Sequence, residues 1–215
     1  MEAVVKSTRR PYDSSGRRSQ AEATRAAVVR AARELFLSEG YASTTVVGIS
    51  AQAGVSVETV YKSFGGKPGL ARAVCEEGLA GAGPVPAEQR SDELQRTETD
   101  PRAIIRGWGR LAAEVAPRTI PILLLLREAA SHDPSVAELV KELDDQRLTR
   151  MTRNASVLKA SGLTRPGMTQ RHIGEILWAY TSAELYELLV SKRGWSVRRY
   201  TQFITDAMVA ALLVE

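Results

Sequence analysis

Cysteine is almost absent from this 215-residue chain. The single one, Cys75, excludes an intramolecular disulfide, and the two histidines, His132 and His172, stand far apart in the sequence, so neither disulfides nor a Cys/His zinc site holds the fold together. Long apolar runs are missing too. Even the leucine-rich stretch Ile122 to Leu126 is far short of the roughly 20 residues that span a bilayer. No apolar segment follows the basic residues near Met1 as a secretory leader requires. The expectation is a cytoplasmic protein with no membrane partner. Sustained period-two alternation is absent, so no sheet is expected. GxSxG, CxxC, HExxH and phosphate-binding glycine loops are lacking as well, and nothing points to an enzyme or to a cofactor.

What is present is unevenly placed. The net charge is +4, but the first 75 residues carry eleven Lys and Arg against six Asp and Glu, while the rest of the chain is close to balance. A basic N-terminal third suggests that this part meets a polyanion. Residues 1–18, with Pro11, Gly16 and the pairs Arg9-Arg10 and Arg17-Arg18, lack periodicity and read as a disordered basic arm. Its arginines, Arg17 and Arg18 among them, suit phosphate contacts.

Order is expected from Ser19, which with Glu22 forms an S-x-x-E capping box. A first helix runs over 19–39, with Val28, Ala32, Leu35 and Phe36 at helical spacing and Gly40 at its end. Thr44 or Thr45 caps a second, short helix in which Val46, Ile49 and Ala53 share a face, and Gly54 supplies the turn that ends it. Ser56 caps a third, with Val60 and Phe64 inward. Lys67-Pro68 then opens a fourth that reaches about Ala80.

Residues 81–100 read as a loop or at most a weak helix. Further helices are expected over 101–115, from Ile122 to near His132, from Pro134 to Ala160, over 169–192, and from about Tyr200 to the end. The architecture is all-α, with a three-helix unit over 19–66 and a larger helical region over 67–215. Short helices joined by a tight glycine turn occur in DNA-binding helix-turn-helix units and in ordinary helical hairpins alike.

The run from Gly40 to Leu70, GYASTTVVGISAQAGVSVETVYKSFGGKPGL, resembles the N-terminal signature of TetR-family regulators. That signature has GY, T-V, I-A, AGVS, T-x-Y, F and K-x-x-L in the same order and spacing. The resemblance implies a helix-turn-helix DNA-binding domain followed by a helical ligand-binding and dimerisation domain. It further implies a homodimer on a double-stranded DNA operator, commonly a repressor released by a small effector.

The implied roles fall on particular residues. Val57, Glu58 and Thr59, just after Ser56, occupy base-facing positions, and Tyr61 matches a phosphate contact. Thr44 or Thr45 and Lys67 match further phosphate contacts at helix starts, where free amides and the helix dipole favour an anion. Glu58 suits a cytosine amino group; Val57 and the Thr59 methyl suit a thymine methyl. The family usually has histidine where Ser63 stands, so a phosphate contact there passes to Lys62 or is lost.

For the C-terminal region the resemblance implies pairing of the last two helices between subunits. The apolar stripe Tyr200, Phe203, Ile204, Ala207, Met208 and Ala211 is the candidate face. Candidate effector contacts are Trp108, Arg127, Met151, Trp178 and Glu184, apolar or polar residues within helical apolar runs; a hydrophobic or aromatic ligand suits them. A constitutive DNA-binding dimer without an effector is the alternative reading.

Overall fold

Each short helix of the N-terminal region starts on a hydroxyl. Thr45 accepts from the Gly48 amide at 3.0 Å and opens α2 (Val46–Ala53). Ser56 accepts from the Thr59 amide at 3.1 Å and opens α3 (Val57–Phe64). Between them Gly54 takes a left-handed φ of 67° that a side chain would resist. Preceding both is α1 (Ser15–Glu39), and following them is α4 (Lys67–Ala80). A Cβ at Gly69 would stand 1.7 Å from the Phe64 carbonyl oxygen, so only glycine lets α4 start hard against the end of α3.

The computed structural model describes residues 15–214. Most of the expected basic arm therefore lies outside the described residues. Its last four residues do not belong to an arm, because α1 begins at Ser15. Ser19 and Glu22 sit inside this helix rather than capping it. The segment around them, with Arg17, Arg18, Gln20, Ala21 and Glu22, consists largely of strong helix formers and propagates the helix outward.

The segment expected as a loop or weak helix holds a defined one, α5 (Ala87–Thr97). Its polar sequence hides what fixes it, which is tertiary: Arg150 donates to Glu88 at 2.6 Å and to Asp92 at 2.7 Å. The two helices expected across 101–132 are one, α6 (Pro101–Ala130), thirty residues long with Pro117 and Pro121 inside it. Proline removes a donor without ending a helix whose flanks are both packed, and here Ile120 and Ile122 are buried on either side of Pro121.

After α7 (Pro134–Ala160), capped by Asp133, the helix expected over 169–192 is instead divided. α8 (Gln170–Tyr180) ends at Thr181, and α9 (Ala183–Tyr186) restarts on a Ser182 cap and passes into a π turn over Glu187–Lys192. The break is held by Arg147 of α7, which donates to the Trp178 carbonyl and to Asp144. α10 (Val197–Leu212) completes the chain. Among the described residues there is no strand, only a lone bridge between Thr164 and Leu213. No described helix is long and apolar enough to cross a membrane.

These helices enclose two hydrophobic cores. The first unites α1 to α4 with Ile122 and Leu126 of α6 and Val136 and Leu139 of α7. The second gathers Ile104, Ile105 and Trp108 of α6, Ala155 and Leu158 of α7, Ile173 and Leu177 of α8, and Tyr200, Ile204 and Met208 of α10. The helix-turn-helix unit thus does not fold on its own three helices. It shares its core with α4 and with the near ends of α6 and α7.

Candidate nucleic-acid interface and sensor core

α3 is anchored by few inward residues. Val60 is fully buried and Phe64 packs against the first core, which leaves Glu58, Tyr61 and Lys62 exposed and Val57 and Thr59 half-buried. Tyr61 keeps 54% of its surface exposed, unusual for an aromatic ring on a helix with one buried face and available for a backbone or base contact. Ser56 and Thr59 bind each other through their hydroxyls at 2.8 Å, so the first turn of α3 presents a preformed polar corner beside the Glu58 carboxylate.

Two of the expected phosphate contacts have other work. Thr44 is buried, and its hydroxyl donates to the Gly40 carbonyl at 2.8 Å. The exposed threonine of the pair is Thr45. Lys67 turns its ammonium inward and donates to the carbonyls of Tyr41 at 2.9 Å, Ala42 at 3.2 Å and Thr44 at 3.1 Å. It also lies 4.4 Å from the centre of the Tyr41 ring. All three of its N–H donors therefore close the α1–α2 connection, leaving none for DNA. Burial lowers its pKa, against the nearby Asp133. Burial, with Asp133 adding to it, pushes the Tyr41 hydroxyl up to about 12.

Arg18 is exposed on α1, and the side chain of Arg17 lies outside the described residues. Sequence reasoning missed Arg25. Its guanidinium stacks 4.5 Å from the Phe64 ring centre and donates to the Ser63 carbonyl at 3.4 Å, placing a positive charge at the C-terminal end of α3, where the helix dipole favours it. No local pattern joins residue 25 to residues 63 and 64.

The candidate effector residues separate into two groups. Trp108 is buried in the second core with Met151 packed against that core, and the Trp108 indole N–H has no acceptor among the described residues. Arg127 and Glu184 meet as an ion pair at 2.7 Å. Trp178 donates from its indole nitrogen to Asp144 at 3.2 Å and carries Arg147 over its ring at 4.8 Å. Two clefts open at the surface, one of about 570 Å³ between α5 and α7 and one of about 460 Å³ along α10. Neither is lined by any of the five candidates. Cys75 is buried, and burial pushes its thiol up to about 12, which makes it an inert core residue.

The candidate dimer stripe is corrected by its burial. Tyr200, Ile204 and Met208 are 0–1% exposed; recurring every four residues, they form the face that packs into the protomer's own second core. Of the stripe, Phe203 remains exposed and Ala207 and Ala211 are half-buried. Phe203 meets Trp195 edge to face at 5.6 Å, and Arg199 lies 3.8 Å over the Trp195 ring.

Residues 28–74 match the family model of the bacterial regulatory proteins of the tetR family. No curated sequence matches the chain. Solved structures do. NalD of Pseudomonas aeruginosa, the secondary repressor of the MexAB-OprM multidrug efflux pump, superposes with a TM-score of 0.67 at 22% identity, over 91% of this chain and 99% of that one. SmeT in its complex with triclosan gives 0.69 at 22% identity, over 90% and 93%. The fatty acid degradation regulator FadR of Bacillus halodurans gives 0.69 at 14% identity, over 86% and 94%. At these identities the likeness is one of fold. The segment that holds the capped α2 and α3 and the glycine turn between them thus matches the N-terminal domain of the bacterial regulatory proteins of the tetR family, and the whole chain shares the all-helical fold of these solved structures.

Proposed function

We propose that the protein is a cytoplasmic homodimeric repressor that binds a near-palindromic operator through α3 and leaves it when a small hydrophobic or aromatic molecule enters the second core. The base-reading residues are Val57, Glu58 and Thr59. Tyr61, Thr45, Lys62 and Arg18 hold the phosphate backbone.

One observation carries the sensing half of this reading. The second core is distinct from the core that supports α3, and inside it the Trp108 indole N–H is buried without an acceptor among the described residues. Leaving such a donor unmade costs about 1–3 kcal/mol, and an entering ligand with an oxygen or nitrogen acceptor removes that cost. Similarity to NalD, a pump repressor, and to SmeT, solved with triclosan, supports the same reading. The alternative, a constitutive DNA-binding dimer, is favoured by the pairing of Arg127 with Glu184 and of Trp178 with Asp144, which leaves those groups no unmet demand for a ligand.

The two readings separate in a titration. Hydrophobic and aromatic compounds are screened for thermal stabilisation of the protein, and a hit is titrated with and without operator. By linkage an inducer must bind more weakly to the operator-bound protein, by the same factor by which it weakens operator binding. Equal affinity in the two titrations, for every stabilising compound, contradicts the ligand-released repressor.

A further inference from the structure

Several cations of the basic N-terminal third are committed inside the protein. Lys67 gives its donors to carbonyls of the α1–α2 connection, and Arg72 is bound by both terminal nitrogens to Glu142, at 2.7 and 2.6 Å. Arg33 is half-buried, with one terminal nitrogen out of reach of solvent. Arg18, Arg25 and Arg30 of α1 and Lys62 in the last turn of α3 stay exposed. At 3.6 residues per turn, Arg18 and Arg25 share one face of α1 about 10 Å apart, and Arg30 lies more than a third of a turn round the helix from them.

Arg25 is set apart by its seat. Its guanidinium lies over the Phe64 ring, 4.5 Å from the ring centre, and Phe64 in turn packs against the first core. A planar guanidinium stacks well on such a ring, so one side of the cation is held. Of its five N–H donors, one on Nη1 reaches the Ser63 carbonyl at 3.4 Å, longer than the roughly 2.7–3.2 Å of a well-made N–H···O bond. A cation that only braced the end of α3 would close on its carbonyls, as Lys67 closes on those of the α1–α2 connection at 2.9 to 3.2 Å. Here the side chain stays exposed on a fixed seat, within one turn of Tyr61 and Lys62 along α3. The exposed Glu22 on the same face of α1 opposes an anion there, so it is the fixed position of Arg25, not the net charge of the face, that points to a contact.

We propose that Arg25 is a phosphate-binding residue of the DNA interface: seated on Phe64, it takes a backbone phosphate beside the C-terminal end of α3 while the first turn of α3 reads bases. The guanidinium fork meets two oxygens of one phosphate together, and because the seat already orders the side chain, little freedom is lost on contact. Such a contact fixes where α3 lies along the groove and carries no base preference of its own. This inference rests on the regulator reading above and deepens it, giving α1 a docking residue that the sequence around α3 does not contain.

The test uses the full-length protein and the duplex that the wild type enriches from a random library. Arg25→Gln is expected to keep the wild-type helicity and base preference, to weaken binding about fivefold per half-site at about 0.15 M salt, and to lower the slope of log affinity against log salt by about one per half-site. Arg25→Lys keeps the charge without the fork and is expected to weaken binding about threefold at the wild-type slope. A residue that only braced α3 would, as Arg25→Gln, lower the melting temperature and shift base preference with the salt slope unchanged, and an unchanged slope overturns the assignment. If Arg25→Gln does not fold, Arg25→Lys decides: the threefold loss supports the forked contact, and wild-type affinity overturns it. A wild type that enriches no duplex overturns the regulator reading and this assignment with it, whereas a wild type that binds beside a variant of unchanged slope overturns Arg25 alone.

Discussion

The N-terminal head, α1 to α3, and the helices around the second core are both held by hydrophobic packing, yet their elements are fixed in different ways. In the head, α2 and α3 are eight residues each, too short to persist alone, and they are fixed by local chemistry: hydroxyl caps, left-handed glycines, and one or two inward residues per helix. Around the second core, helices of 27 and 30 residues are fastened across the fold by arginines. Arg150 ties α7 to α5, Arg90 and Glu114 tie α5 to α6, and Arg147 closes the end of α8. The first arrangement gives a small rigid helix with an exposed face, suited to reading a groove. The second gives long elements whose mutual positions depend on distant contacts, suited to changing them.

The sharpest way to break this comparison is to truncate one buried residue in each core. Leu126→Ala and Ile204→Ala each remove a fully buried side chain and are expected to cost about 2–5 kcal/mol in denaturant unfolding. Leu126 belongs to the first core, so its loss is expected to reduce DNA binding along with stability. Ile204→Ala, assayed where it remains folded, reaches α3 only through the coupling that ligand release requires and is expected to lower duplex affinity less than Leu126→Ala does. Equal loss in the two folded variants would show that α3 rests no more on the first core than on the second.

Lys67→Met comes next. It removes three charged hydrogen bonds to the α1–α2 connection and is expected to destabilise the protein by about 1.5–3 kcal/mol. The slope of log affinity against log salt is expected to stay at the wild-type value for this variant. A phosphate-binding lysine would instead lower that slope by about one, and such a fall would return Lys67 to the interface.

Glu58→Ala acts on function without touching packing. Base preference is expected to change at one position per half-site by about 1–3 kcal/mol, with an unchanged melting temperature, whereas Tyr61→Phe is expected to weaken all sequences alike. Binding to a panel of singly substituted duplexes distinguishes the two patterns.

The smallest effect belongs to the contact of α5 with α6. Arg90 and the Ala82 amide hold the Glu114 carboxyl down to about 2 from its ordinary 4.5. A depressed carboxyl stabilises the fold above its unfolded value, and that stabilisation disappears as pH falls through the folded value. Wild type and Glu114→Gln are therefore expected to differ slightly in melting temperature at neutral pH and to converge between pH 4.5 and about 2. A gap that persists at the acid end would place the role of Glu114 elsewhere than in its charge.

The head was legible because its instructions are local. Thr44 or Thr45, Gly54, Ser56 and Lys67-Pro68 act on neighbours within a few positions, and reading them placed α2, α3 and α4 where the structure has them. Thr44 and Lys67 read there as phosphate contacts, but Thr44 bonds back to Gly40 four positions earlier, and Lys67 reaches carbonyls 23 to 26 positions away that a linear pattern does not bring near. Around the second core the deciding contacts are remote. Pro117 and Pro121 read as a break, yet burial on either side carries the helix through them. The pattern over 169–192 reads as one helix, yet Arg147, more than 30 positions from the break it closes, supports a division at Thr181. The stripe Tyr200, Ile204 and Met208 signals a buried face, but periodicity alone does not say whether the covering surface comes from the same chain or from a partner.

The central claim is that α3 reads a specific sequence in duplex DNA, and selection from a random duplex library by the full-length protein tests it most directly. The account predicts enrichment of a near-palindrome whose half-sites lie about one helical turn apart, roughly 34–36 Å, or at a multiple of that spacing, and a changed base at one position per half-site when Glu58→Ala repeats the selection. A library that returns no enriched sequence with the folded wild-type protein would contradict it.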